Sequence, residues 1–261
     1  MPACSLEECD LFDFMAHYVG MTVLHPGGLW ATDRQARLCH IDKDSRVLDI
    51  ACGKGTSAIY LARKYGSHIV GVDLDAGFVD QATRLAEKKR LGNRLDFRTA
   101  DALHLPFGDN EFDVTLSQAF LVLIPDQERA VREAVRVTRP GGYIAWLELS
   151  FTREPPPSLF ERAAASACEG CFRHTLTFEG WERLFRESGM ADLQTVPGEM
   201  GTRQRRMFRD EGWLNAARIM WKWATNPRIR RRMDAIFGFF RDHSDFIRYG
   251  IFVGRKPETV Q

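Results

Sequence analysis

A short apolar run, Arg46-Val-Leu-Asp-Ile-Ala51, ends in Cys52-Gly-Lys-Gly55 and passes at once into the helical spacing of Thr56–Tyr65. A strand that stops at two closely spaced glycines and restarts as a helix must turn tightly. Glycine lacks Cβ, so the backbone there can approach a ligand closely. The helix start adds free N–H groups that favour a phosphate or carboxyl partner. The same rhythm then repeats. His68–Asp73 is predicted as a strand, 76–90 as a helix stopped at Gly92-Asn93, and 95–100, 112–118 and 142–149 as further strands. A helix over 126–138, with Asp126 as its N-cap, precedes the last of these. Strands alternating with amphipathic helices need crossover connections, which implies a parallel sheet covered on both faces.

Two more carboxylates fall at the edge where such sheets bind ligands. Asp73 ends the second strand, eighteen residues past Gly55, and can accept both hydroxyls of a ribose; Asp101 follows the third strand and can accept from an exocyclic amine. Gly53, Gly55 and Ala58 also satisfy G-x-G-x-x-A, a weak dinucleotide signal when alone. Asp49 argues against a nicotinamide ligand, because a pyrophosphate would meet a like charge there, whereas a ligand carrying an ammonium and a sulfonium would meet an opposite one. The end of the chain also lacks the second βαβ half that binds nicotinamide.

With 44% hydrophobic and 27% charged residues, the 261-residue chain can bury a core, which excludes disorder as its dominant state. No stretch approaches the roughly 18 apolar residues of a membrane span. The acidic first ten residues do not resemble a secretory signal. Six cysteines (4, 9, 39, 52, 168 and 171) are too sparse for a disulfide scaffold and are expected to be reduced thiols in a cytoplasm. A net charge of +1 argues against a protein built around nucleic-acid phosphates.

Five segments occur in order and at suitable spacing: Val47-Leu-Asp-Ile-Ala-Cys-Gly-Lys-Gly55, Val70-Gly-Val-Asp-Leu74, Ala100-Asp-Ala-Leu-His-Leu-Pro-Phe107, Glu111-Phe-Asp-Val114 and Arg139-Pro-Gly-Gly142. Together they resemble the class I S-adenosylmethionine-dependent methyltransferases, in particular the small-molecule branch of quinone, sterol and amine methylases. The resemblance covers roughly 25–150. It implies an α/β, Rossmann-like, seven-stranded and mostly parallel sheet with an antiparallel edge strand, and a helical cap inserted before the last strand. The expected organisation is 1–45 as an N-terminal helical cap over the cofactor site and 46–150 as the S-adenosylmethionine-binding core. Residues 151–198 follow as linker, helices and sixth strand, 199–247 as a helical lid insert and 248–261 as last strand and tail.

By that resemblance Asp49, Ala51, Gly53 and Gly55 would hold the methionine moiety, Asp73 the ribose and Leu74 the adenine face. Asp101 with Ala102 would read the adenine edge, and Ser117 and Gln118 would line the pocket near the methionine end. Relatives often place a histidine pair soon after the fourth strand; here the segment is Phe120-Leu-Val-Leu-Ile124, so no catalytic role transfers to it.

In-line methyl transfer needs alignment and exclusion of water more than a dedicated residue. The catalytic candidates are therefore few. His25, in a Pro-Gly-Gly turn, is placed either to lie over the methyl group or to cap its own turn. Tyr18 is either a site residue or half-buried core. Glu148, inside a strand buried on both faces, is expected to face the pocket. Arg173 and His174 face the same cleft or solvent. Cys168 and Cys171, one helical turn apart, could join Cys4 and Cys9 in a zinc site, although no metal is expected. The thiols could instead hold a soft acceptor such as trivalent arsenic, but arsenite methyltransferases carry a cysteine in the helix where this chain has Ala58.

The 199–247 insert carries eleven cations against six acids, a net charge of +5, and more apolar residues than one amphipathic face requires. Three roles stay open for it: packing on the sheet or on a second subunit of a homo-oligomer, a lid over an apolar, anionic or thiol-bearing small-molecule acceptor, or a basic aromatic surface for RNA. The expected activity is small-molecule methylation. The alternatives are methylation of nucleic acid or protein through the insert, and a sensor that binds S-adenosylmethionine without transferring methyl.

Overall fold

The computed structural model describes residues 6, 9–166, 172–200 and 207–258. A short helix α1 (Leu11–Asp13), capped by the Asp10 carboxylate, runs into a π-helical turn (Phe14–Val19) that Gly20 ends at φ +89°. Then come α2 (Gly28–Leu38), β1 (Arg46–Ile50), α3 (Thr56–Tyr65), β2 (His68–Asp73), α4 (Ala76–Lys88), β3 (Leu95–Thr99), β4 (Phe112–Gln118), α5 (Gln127–Val137) and β5 (Thr138–Phe151). The second half adds α6 (Pro157–Ser166), α7 (Phe178–Glu187), β6 (Ala191–Gly198), α8 (Met207–Glu211), α9 (Trp213–Thr225), α10 (Pro227–Asp242) and β7 (Ile247–Arg255).

The seven strands form one sheet in the order β3-β2-β1-β4-β5-β7-β6. β1 to β5 are parallel, and β7 enters antiparallel between β5 and β6. Because side chains alternate across a strand, each face has its own core. Val47, Ile69 and Leu116 pack with Ala31 and Ala36 of α2 and Leu61 and Ala62 of α3. Leu48, Ile50, Ile144 and Trp146 pack on the other face with Val131 of α5, Trp181 and Phe185 of α7, and Ile229 and Ile236 of α10. Among the described residues no helix is long and apolar enough to cross a membrane.

Local signals explain most boundaries. The Asp75 carboxylate accepts from the Gly77 and Phe78 amides at the start of α4, and Asp126 accepts from the Arg129 amide at the start of α5. The helix expected over 158–171 begins at Pro157, and its described part ends at Ser166. β5 starts four residues earlier than the predicted 142, because Thr138 pairs with Phe112 and its hydroxyl meets that of Thr115 at 2.6 Å in the core. α2 was hidden from apolar periodicity, since its buried face includes Thr32 and Gln35 beside Ala31 and Ala36. The parallel register sets Ile50 beside both Val72 and Ser117, so the carboxyl ends of β1, β2 and β4 converge on the glycine turn.

Candidate active site

The turn after β1 holds three left-handed residues, Ala51 at φ +58°, Gly53 at +53° and Gly55 at +72°. The two glycines differ in surroundings. A Cβ on Gly53 would meet nothing within 4 Å, whereas one on Gly55 would lie 2.7 Å from Ala82 Cβ and 2.8 Å from the Phe97 ring. Gly55 thus lets α3 press on α4 and β3, while Gly53 borders open space.

Asp73 braces this turn. Its Oδ2 accepts from the Gly53 amide at 2.8 Å and its Oδ1 from the Asp75 amide at 3.0 Å. Burial raises the Asp73 pKa, and these amides oppose the shift. Asp49 lies beneath, buried, with Oδ2 lacking a hydrogen-bond partner among the described residues. Burial first, then the nearby Asp73 charge, pushes its carboxyl up to about 8. A buried, unpartnered carboxyl beside an open glycine suits the cationic end of a ligand, which would supply the missing partner.

A polar network closes the end of β4. The Ser57 hydroxyl donates to Gln118 Oε1 at 2.6 Å, and Gln118 Nε2 donates to Gln35 Oε1 at 2.6 Å and to Thr32 Oγ1 at 3.0 Å. His25 joins it, with Nε2 3.3 Å from both the Thr32 and Ser57 hydroxyls. Its Nδ1 lies 3.1 Å from the Pro26 carbonyl, which can only accept, so Nδ1 carries the proton in that bond. Ser117, buried next to Gln118, donates to the Ile50 carbonyl at 2.8 Å.

Above the turn lies the segment 14–23. Lys54 Nζ, from within the glycine turn, donates to the carbonyls of Ala16 at 2.7 Å and Met21 at 3.1 Å. The insert holds the same segment from outside. Lys222 Nζ donates to the Tyr18 carbonyl at 2.7 Å, Asn215 Nδ2 donates to the Gly20 carbonyl at 3.0 Å, and the Glu211 carboxylate accepts from the Thr22 and Val23 amides. His17 stacks flat on Phe78 of α4, with ring centroids 5.5 Å apart. The Tyr18 ring stacks on Phe14 at 6.4 Å.

The structure thus brings Asp49, Ala51, Gly53 and Asp73 together, and joins His25 to Gln118. Leu74, 74% exposed, and the exposed Asp101 lie on the open side, the latter accepting from the Leu103 amide at 2.9 Å with half-buried Ala102 between them. Glu148 is fully buried, and its Oε1 accepts from the amides of Phe120 and Leu121 at 3.1 and 3.0 Å. It caps the turn after β4, and its Oε2 has no hydrogen-bond partner among the described residues. Arg173 is exposed, and the His174 carbonyl accepts from Gln127 Nε2. Cys4, Cys168 and Cys171 lie outside the described residues, so the four-thiol arrangement does too. Sequence reasoning missed Lys54, Ser57, Thr32, Gln35, Glu211 and Asn215; Lys54 lies within the first motif, flanked by both glycines, and the other five carry no local signal.

A family model described as a methyltransferase domain matches residues 48–146. The chain is 37% identical over 235 residues to 27-O-demethylrifamycin SV methyltransferase of Amycolatopsis mediterranei, covering 87% of this chain and 83% of that one. It is 31% identical over 233 residues to an uncharacterised protein of Haemophilus influenzae, covering 88% and 91%. Among solved structures, the [4+2]-cyclase SpnF shares the fold with a TM-score of 0.71 at 23% identity, over 95% of this chain and 94% of that one. Ordered motifs, strand order and near full-length similarity agree: the chain belongs to the class I S-adenosylmethionine-dependent methyltransferases.

Proposed function

We propose that this methyltransferase acts on a small organic acceptor held between the glycine turn and the segment 14–23. The observation that carries this reading is the tethering of that segment from both sides, by Lys54 below and by Lys222, Asn215 and Glu211 above. A segment fixed over the turn would shield a small acceptor from water, and the open space beside Gly53 suits a small molecule better than a macromolecule. The similarity along most of the chain to an enzyme named for 27-O-demethylrifamycin SV supports the same class of acceptor.

Bound S-adenosylmethionine supplies an electrophilic methyl on a sulfonium. Asp49, Ala51 and Gly53 would hold its amino-acid end, where the open space and the unpartnered carboxyl lie, and Gly55 would keep the turn tight. Asp73 would take the ribose while still bracing Gly53. Leu74, Asp101 and Ala102 would frame the adenine from the open side. Ser117 and Gln118 would define the floor, with Gln118 fixed in one orientation by Ser57, Gln35 and Thr32. His25 and Tyr18 are the candidates for contact with the acceptor. Glu148 is assigned as a positioning residue, because it sets the backbone of Phe120 and Leu121 just beyond β4.

Calorimetric titration with S-adenosylmethionine, S-adenosylhomocysteine and NAD tests the pocket. Binding of the first two without NAD is expected, and binding of NAD alone would overturn it. Radiolabelled methyl should then pass to small organic acceptors; transfer confined to RNA or protein would overturn the acceptor class.

A further inference from the structure

The insert that tethers the segment 14–23 with one face leaves the other face largely exposed; among the described residues the Phe208 ring touches Trp213, with centroids 5.0 Å apart. On α9, Trp213 is 77% exposed, Leu214 82% and Trp221 69%, and Met220 is also exposed. Positions 214, 217, 218, 220 and 221 follow helical spacing, so these side chains form one outward stripe, with exposed Arg218 within it. Large apolar side chains this exposed on a packed domain mark a surface with a partner.

Charge identifies that partner. From 212 to 233 the chain holds six cations and three tryptophans but not one Asp or Glu. The acids that bound this stretch are both engaged internally. Glu211 accepts from the amides of Thr22 and Val23, and Asp234 accepts from Trp223 Nε1 at 3.1 Å. Arg230 and Arg231, at the start of α10, are exposed. A two-fold contact with a second copy through this face would set Arg218 against the same cationic stretch of its twin. An RNA strand would find stacking partners in the tryptophans but none in Leu214 and Met220. Tryptophan and leucine on one face of a short helix, with cations within and beside it, match the interface of an anionic bilayer.

We propose that the outer face of α9 seats this enzyme on an anionic lipid surface, with Trp213, Leu214 and Trp221 entering the headgroup boundary and Arg218, Arg230 and Arg231 meeting lipid phosphates. The helix lies on the membrane rather than across it, since thirteen residues span only about 20 Å. Its inner face holds Tyr18 and Gly20 at the same time, so, on the proposed reading of the site, the segment that covers the acceptor lies close to the lipid.

Sedimentation of the full-length protein with vesicles of phosphatidylcholine, alone or mixed with phosphatidylglycerol, tests this. Partition into the mixed vesicles is expected to exceed that into the neutral ones by about tenfold or more and to fall with added salt. A variant combining W213S, L214S and W221S should lose about tenfold in partition, and one combining R218Q, R230Q and R231Q several-fold, both with unchanged affinity for S-adenosylmethionine. No partition into either vesicle would overturn the proposal, as would equal partition into both. A dimer in solution that the serine variant turns into a monomer, without vesicle binding by the parent, would assign the face to a second copy instead. Salt-sensitive RNA binding without vesicle binding would assign it to nucleic acid.

Discussion

The Lys54 ammonium donates to the Ala16 carbonyl at 2.7 Å, so the glycine turn is tied directly to the segment above it. A second bond, to the Met21 carbonyl, anchors the chain just past the π-helical turn. Burial lowers the Lys54 pKa, with Glu211 opposing the shift. Replacing Lys54 by Met keeps the aliphatic stem and removes both bonds. Charged hydrogen bonds of this kind contribute about 1.5–3 kcal/mol. The variant should bind S-adenosylhomocysteine roughly tenfold or more weakly and exchange amide hydrogens faster at 14–23. Unchanged exchange there would show that the tether does not hold the segment.

Asp49 gives the site a proton signature. Its carboxyl, raised to about 8, is largely protonated at pH 7 before ligand arrives. A cationic ligand favours the carboxylate and lowers that pKa, so binding at pH 7 should release protons, and affinity should fall as pH drops below 8. Calorimetry in buffers of different ionisation heat reads the release directly. Asp49→Asn should abolish it; an identical release from the variant would assign the proton to another group.

Gly53 and Gly55 should separate folding from binding. Alanine at 55 brings its Cβ within 2.7 Å of Ala82 in a left-handed backbone, a clash that should cost about 1–3 kcal/mol in urea unfolding. Alanine at 53 meets no atom and should cost only about 1 kcal/mol of backbone strain, yet it fills the space left for the ligand. Cofactor affinity should therefore drop far more than stability in Gly53→Ala. Equal and small effects at both positions would refute the division of labour.

Glu148 should make the unliganded fold less stable at high pH. Burial raises its carboxyl to about 8 against an ordinary 4.5, and the amides of Leu121 and Phe120 only partly oppose this. The folded chain therefore holds a proton that the unfolded chain has lost between about pH 4.5 and 8, and stability declines as pH rises through that window. Glu148→Gln keeps an acceptor for both amides but cannot ionise. Its melting temperature should match the parent near pH 5 and exceed it near pH 9. Parallel pH profiles for the two proteins would contradict a buried, proton-holding Glu148.

The glycine turn, Asp73 at the end of β2 and the alternation of strands and helices were legible because each is a local pattern with a local physical cause. Asp126 and Asp75 cap helices through amides two or three residues away, so spacing alone revealed or permitted them. α2 was not legible, because Thr32 and Gln35 occupy its buried face and disguise it as polar. The burial of Glu148 was readable from its place within a strand, but its partners at 120 and 121 were not, since the chain between them folds through a helix and most of β5.

By itself the sequence determined the sheet, the turn and the family, since hydrophobic period, glycine freedom and motif order are properties of neighbouring residues. Tertiary structure decided what covers the turn and what is left uncovered. Lys54 meets Ala16 across 38 positions and Glu211 meets Thr22 across 189, separations over which no local pattern constrains contact. The same long-range packing turned one face of α9 toward the site and the other, with Trp213 and Trp221, outward, a division that composition alone left open among lid, interface and RNA surface.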